Sequence, residues 1–227
     1  MQGLGEVPEH IAARVLARCG VAHPFADLQP RRTALVVIDL QNAFLDSALG
    51  YAVCPAGHDI VPQVNRLAGG LRDAGGGVFW IMDTFDPRAA EEWHALHAML
   101  TPAARARREA AVAEGSPGQR LWPALDVRPE DAVVRKYRFS AFLPGASDLP
   151  QSLRSRGFDT VLIAGLATNM CCESSARDAM MMNFRTIMVG DANAAMTPEE
   201  HRASLLAFYS AFGDVMDTEF LLQRLLG

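Results

Sequence analysis

At 227 residues, half of them hydrophobic and 21% charged, the chain has apolar material for a sizeable core and no compositional case for disorder. Its net charge of −5 and the lack of any Lys/Arg run exclude a generic polyanion partner, because non-specific nucleic-acid binding needs a basic face. The longest uncharged apolar stretch, 160–172, is far shorter than the roughly 20 residues of a membrane helix, and Glu6, Glu9, His10, Arg14 and Arg18 break any signal-peptide core, so a cytoplasmic protein with no membrane span is expected.

Taken along the chain, residues 1–31 open with a helical pattern at 9–19 followed by a looser stretch, and read as an N-terminal arm on one domain spanning 1–227. The runs 33–40 (TALVVIDL), 77–82 (GVFWIM), 132–134, 160–166 (TVLIAGL) and 186–189 (TIMV) are short, β-branched-rich and without polar alternation. Strands covered on both faces look like this. Helical spacing fills the intervals at 59–74, 89–100, 149–156, 170–183 and 198–212, the last with Thr197 as N-cap and Pro198 at the first helical position. A weak sixth strand at 215–216 and a last helix at 218–226 complete an α/β, three-layer, doubly wound six-stranded parallel sheet. Residues 105–120, rich in Ala, Arg, Glu and Gly, carry no obvious core face and read as a surface excursion, placed where a lid could lie.

Ligands of open parallel sheets bind beyond the carboxyl ends of the strands, so polar residues there carry weight. Asp39 follows five apolar residues at the end of the first strand, as a desolvated acid or as a helix-capping aspartate. Lys136 ends the third strand, either as a cation beside a buried carboxylate or as a snorkelling surface lysine. Cys171 lies where the fourth strand turns into a helix, a position that favours thiolate, although inert packing is the usual fate of a cysteine. Cys172 lies about 100° further round the same helix and reads as the inert one. With Cys19 and Cys54, these cysteines match neither a disulfide framework nor CxxC metal spacing, and reduced thiols are expected.

The blocks VVIDLQNAF (36–44), VVRKYRFSAF (133–142) and GLATNMCCESSARDA (165–179), in this order and spacing, resemble the isochorismatase-like cysteine hydrolase superfamily, in its amidohydrolase branch. The resemblance implies an Asp39–Lys136–Cys171 triad, a dimer or tetramer, and a non-proline cis peptide at Leu166–Ala167 that aims the backbone N–H groups of Ala167 and Cys171 as an oxyanion hole. It implies cleavage of a C–N amide or ureide bond of a small molecule: Asp39 takes the thiol proton, Cys171 attacks the carbonyl, and a thioester is then hydrolysed. Gln41, Phe44, Tyr137, Phe142 and Asn169 are candidate pocket walls, and the uncharged run 139–144 hints at a partly apolar pocket.

No cofactor is expected. Nicotinamidase-type relatives carry a D-x-H metal pattern after the second strand, whereas this chain has Asp83 and Asp86 without that partner, and His94 with His97 only three apart on a predicted helix. No metal follows from that set. The alternatives are vinyl-ether hydrolysis of the isochorismatase type and a non-catalytic binding protein of the same fold. No G-x-G-x-x-G follows the first strand, so a dinucleotide site is not expected.

Overall fold

The structure, a computed structural model, describes residues 5–226, except for the side chains at 89 and 90. In chain order the elements are α1 (Glu9–Cys19), β1 (Thr33–Ile38), α2 (Asn42–Leu45), α3 (Gly57–Asp73), β2 (Gly77–Asp83), α4 (Pro87–Glu91), α5 (His94–Ala98), α6 (Pro102–Ala111) and β3 (Ala132–Lys136). There follow α7 (Leu149–Ser155), β4 (Thr160–Leu166), a π turn (Thr168–Cys172), α8 (Glu173–Met181), β5 (Arg185–Ala194), α9 (Pro198–Ala211), β6 (Asp214–Met216) and α10 (Thr218–Leu226). The six strands form one sheet in the order β3-β2-β1-β4-β5-β6, every pair parallel.

Apolar runs become strands here because both faces are covered. Leu35 and Val37 face a layer built by Val64, Leu67 and Leu71 of α3 and Leu221 and Leu225 of α10. Ala34, Val36 and Ile38 face the opposite layer, with Leu153 of α7, Ala176 and Ala179 of α8, and Leu205 and Phe208 of α9. Helix α9 begins as expected, with Thr197 accepting from the Glu200 N–H and Glu200 accepting from the Thr197 N–H, over Pro198 at the first position. Helix α1 lies against α9 and buries Val15 in the second layer.

Two expectations need correction. The helix predicted at 89–100 is split into α4 and α5. The excursion at 105–120 runs over the surface but does carry an inward face: α6 buries Arg108, and Val112 and Gln119 are buried beyond it. Backbone bonds from Phe85 N–H to Val112, from Ala43 N–H to Gly118 and from Asn42 N–H to Arg120 stitch it to the ends of β1 and β2. A charged, Ala-rich stretch hides such a role because its partners lie far away in sequence.

The strand order reverses direction between β1 and β4, so a crevice opens beyond their carboxyl ends. Both strands come close there: Ile38 pairs with Gly165, and a Cβ on Gly165 would sit 2.0 Å from the Ile38 carbonyl oxygen. Gly165 also has φ +116°, which side-chain-bearing residues avoid.

Candidate active site

Four strand ends deliver the chemistry. Asp39 follows β1, Asp83 ends β2, Lys136 ends β3, and Cys171 rides the π turn after β4. Asp83 and Lys136 are register partners across β2 and β3. Asp39 adopts a left-handed backbone, φ 57°, which turns the chain sharply out of the sheet while its N–H still donates to Ile81 O at 3.0 Å.

These groups meet in the interior. Lys136 Nζ lies 2.9 Å from Asp39 Oδ2 and 3.7 Å from Asp83 Oδ1, and donates to Arg138 O at 3.2 Å. It also lies 3.5 Å from Cys171 Sγ. The Asp83 N–H donates to Asp39 Oδ1 at 3.1 Å, and Asp39 and Cys171 are held on the same Lys136 ammonium. Asp39 and Lys136 are 1% exposed, so each charge is compensated by its neighbours and not by bulk water.

Burial raises the Asp39 carboxyl and Lys136 partly offsets this, leaving it at about 6. Burial would lower the Lys136 ammonium, yet Asp39, Cys171 and Asp83 hold it above the ordinary lysine value. Burial, reinforced by the Asp39 charge, pushes the Cys171 thiol well up. The helix-terminus effect expected to favour thiolate is therefore outweighed, and the resting pair is a thiol beside an ionisable carboxylate. Such a thiol needs a base, and Asp39 is in place to be one.

A chamber of about 170 Å³ opens onto these atoms. Besides Asp39, Asp83 and Cys171, its wall includes Phe44, Tyr51, Leu96, Leu100, Arg108, Phe139, Leu166, Ala167, Met170 and Met196. Arg108 Nη2 donates to Asp83 Oδ2 at 3.1 Å. The Arg108 guanidinium lies over the Trp93 ring at 5.7 Å, with Arg138 over the same ring at 5.2 Å and Phe139 edge-on at 4.9 Å.

A family model described as the isochorismatase domain matches residues 33–220. The chain belongs to the isochorismatase family. It is 35% identical over 208 residues to a ureidoacrylate amidohydrolase RutB of Methylobacterium radiotolerans, covering 84% of this chain and 78% of that protein. A cysteine hydrolase from Pseudomonas syringae pv. phaseolicola superposes with a TM-score of 0.78 at 27% identity, over 88% of this chain and 95% of that one. The N-carbamoylsarcosine amidase of Thermoplasma acidophilum gives 0.66 at 25% identity, over 83% and 97% of the two chains.

In this isochorismatase family member the expected residues divide. Asp39, Lys136 and Cys171 are brought together, and Phe44 and Ala167 line the chamber. Gln41 is fully buried away from it, a strut between strand ends that accepts from the Asp83 N–H at 2.8 Å and donates to Asp83 O and Gln119 O. Phe142 is buried in the core against Phe184, and Tyr137 faces a separate groove beside β3, because the chain turns after Phe139. Asn169 is half-buried and outside the chamber wall. The expected cis peptide at Leu166–Ala167 is not found: among the described residues every peptide bond is trans, which spares the roughly 3–4 kcal/mol of a non-proline cis bond. Cys172 is fully buried in the second layer.

Sequence reading missed Asp83, Arg108 and Tyr51 as parts of the chamber. Asp83 carried the same signal as Asp39, an acid straight after an apolar strand, and was set aside with the missing metal pattern. Arg108 and Tyr51 carried none.

Proposed function

We propose that this chain is a cysteine-dependent hydrolase that cleaves a C–N amide or ureide bond of a small molecule, with Cys171 as nucleophile, Asp39 as base and Lys136 as the cation that orients and balances it. The observation that carries the reading is the convergence of Asp39 Oδ2, at 2.9 Å, and Cys171 Sγ, at 3.5 Å, on Lys136 Nζ, with Asp39 and Cys171 both in the wall of one chamber. The names of the relatives support a C–N bond as the target.

Asp39 accepts the thiol proton as Sγ bonds to the carbonyl carbon. The carbonyl oxygen takes the negative charge, facing the backbone N–H groups of Ala167 and Cys171 where the π turn begins. As the tetrahedral species collapses, the C–N bond breaks and protonated Asp39 returns its proton to the leaving nitrogen, releasing ammonia or an amine. A thioester remains on Cys171. Asp39 then removes a proton from water, whose oxygen attacks the thioester carbon. The C–S bond breaks, an acid leaves, and the sulfur recovers a proton. Lys136 stays charged throughout, offsets the burial that would otherwise hold Asp39 protonated, and keeps its carboxylate from rotating. No step calls for a cofactor or metal. A dimer or tetramer belongs to the same proposal and rests on the family resemblance.

The test is ammonia or amine release by the purified protein and its Cys171→Ala variant across ureides, carbamoyl compounds and linear amides, with mass spectrometry of quenched reactions. Release by the wild type alone, with an acyl mass on the Cys171 peptide, is expected. Release that survives in Cys171→Ala would overturn the mechanism, and silence of folded wild type would overturn the reading.

A further inference from the structure

The ionised side chains of the chamber are matched to one another. Asp39 faces Lys136 at 2.9 Å and Asp83 faces Arg108 at 3.1 Å, so the two pairs sum to zero charge. Other atoms of these groups are engaged as well, Asp39 Oδ1 by the Asp83 N–H, Lys136 by Arg138 O and Arg108 by the Trp93 face, while Asp83 Oδ1 accepts no hydrogen bond and adds to the negative side of the site. Among the described residues no other Lys, Arg or His lines the chamber. Apolar groups make up the rest of the wall, with Phe44, Leu96, Leu100, Phe139, Met170 and Met196 around the opening to Cys171.

We propose that the substrate is a small uncharged amide or ureide bearing an apolar group, and that carboxylate-bearing compounds of the same size are rejected. This deepens the hydrolase reading and rests on it. An anion entering the chamber gives up its hydration and meets no cation in excess. Its nearest positive group, Arg108, is already neutralised by Asp83, and with the anion bound the site carries a net negative charge beside the Asp39 base. An apolar group of the same shape loses only unfavourable hydration and gains contact with six apolar side chains. Size follows from volume: at about 170 Å³ the chamber is smaller than the ~300–1,000 Å³ of pockets for drug-sized ligands, which suits a compact substrate.

Matched pairs test charge at constant shape. 3-Methylbutanamide against malonamate, and isobutylurea against N-carbamoylglycine, exchange an isopropyl group for a carboxylate. The neutral member of each pair is expected to have at least about tenfold higher kcat/KM, a difference of about 1.4 kcal/mol. Equal or reversed preference, with turnover, overturns this inference and leaves the hydrolase reading standing. Silence with all four leaves the hydrolase reading to its own panel, and binding of the same compounds to folded Cys171→Ala protein then judges this one. Tighter binding of the neutral members supports it; tighter binding of the anions, or binding of neither, overturns it. A second variant isolates the cause: Met196→Arg, at a residue 47% exposed on the rim, adds a cation without a partner. The neutral-to-anion ratio is expected to fall about tenfold, and a ratio that does not move overturns the electrostatic explanation.

Discussion

Arg108 and Asp83 form an ion pair of 3.1 Å between α6 and the end of β2, with the two side chains 11% and 5% exposed. Removing one partner of such a pair leaves the other charge buried, which costs about 3–5 kcal/mol. Arg108→Leu is therefore expected to lower stability by that order in chemical denaturation. It also leaves Asp83 free to repel Asp39, whose proton affinity Asp83 already raises. In the variant that remains folded, the acidic limb of the rate profile moves to higher pH.

With Asp39 as the proposed base, that limb in the wild type is expected to follow its titration. The base must be ionised, and its pKa is raised to about 6, so kcat/KM is expected to rise with pH through about 6 and to flatten above it. Stability runs the other way. Between the unfolded carboxylate value near 3.9 and about 6, the folded chain holds a proton that the unfolded chain has released, so this group's contribution falls as pH rises. Asp39→Asn abolishes the kinetic limb and removes that part of the stability slope, checked by initial rates and urea titrations from pH 4 to 7.

The two adjacent cysteines should separate cleanly. Cys171 faces the chamber whereas Cys172 points into the core, with Sγ 4.0 Å from Ala164 O. Cys171→Ala is expected to lose about 10³-fold or more in kcat, while Cys172→Ala keeps most of it and loses about 1–2 kcal/mol of stability through the small cavity. Alkylation followed by peptide mapping should label Cys171 and leave Cys172 unmodified. Labelling of Cys172 first would reverse the assignment of faces.

Gly165 sets the spacing between the strands that carry Asp39 and Cys171. Gly165→Ala places a methyl 2.0 Å from the Ile38 carbonyl oxygen on a backbone with φ +116°. The strands must part, so a loss of several kcal/mol and a sharp fall in soluble yield are expected, measured by thermal unfolding. A variant with unchanged melting would show that β1 yields more readily than a paired central strand should.

Most of the sheet was legible because buried parallel strands are the simplest signal a sequence carries: continuous apolar runs such as TVLIAGL admit no amphipathic alternative. The same runs exposed Asp39, since an ionisable residue directly after one stands out, whereas Lys136, behind Arg135 on an edge strand, was singled out by the family resemblance. The wall of the chamber was not legible, for a physical reason. Arg108 looks like its neighbours Arg105 and Arg107, and only the folded chain distinguishes the one that turns inward to Asp83, 25 positions away. Phe142 erred in the opposite sense: an aromatic close to Lys136 in sequence packs on Phe184 in the core, while Phe139 faces the chamber. The π turn at Thr168–Cys172 also lacks a sequence mark, because its extra residue per turn is imposed by the packing of Cys171 and Cys172 on different surfaces.

Trp93, held between Arg108, Arg138 and Phe139, gives the molecule a built-in optical probe. Indole emission responds to the position of nearby charges, and the Arg108 side chain above this ring also lines the chamber. The other two tryptophans are anchored elsewhere, Trp80 to Asp131 and Trp122 against His58. Subtracting the emission of Trp93→Phe protein should thus isolate a signal that reports occupancy in real time, without a chromophoric substrate.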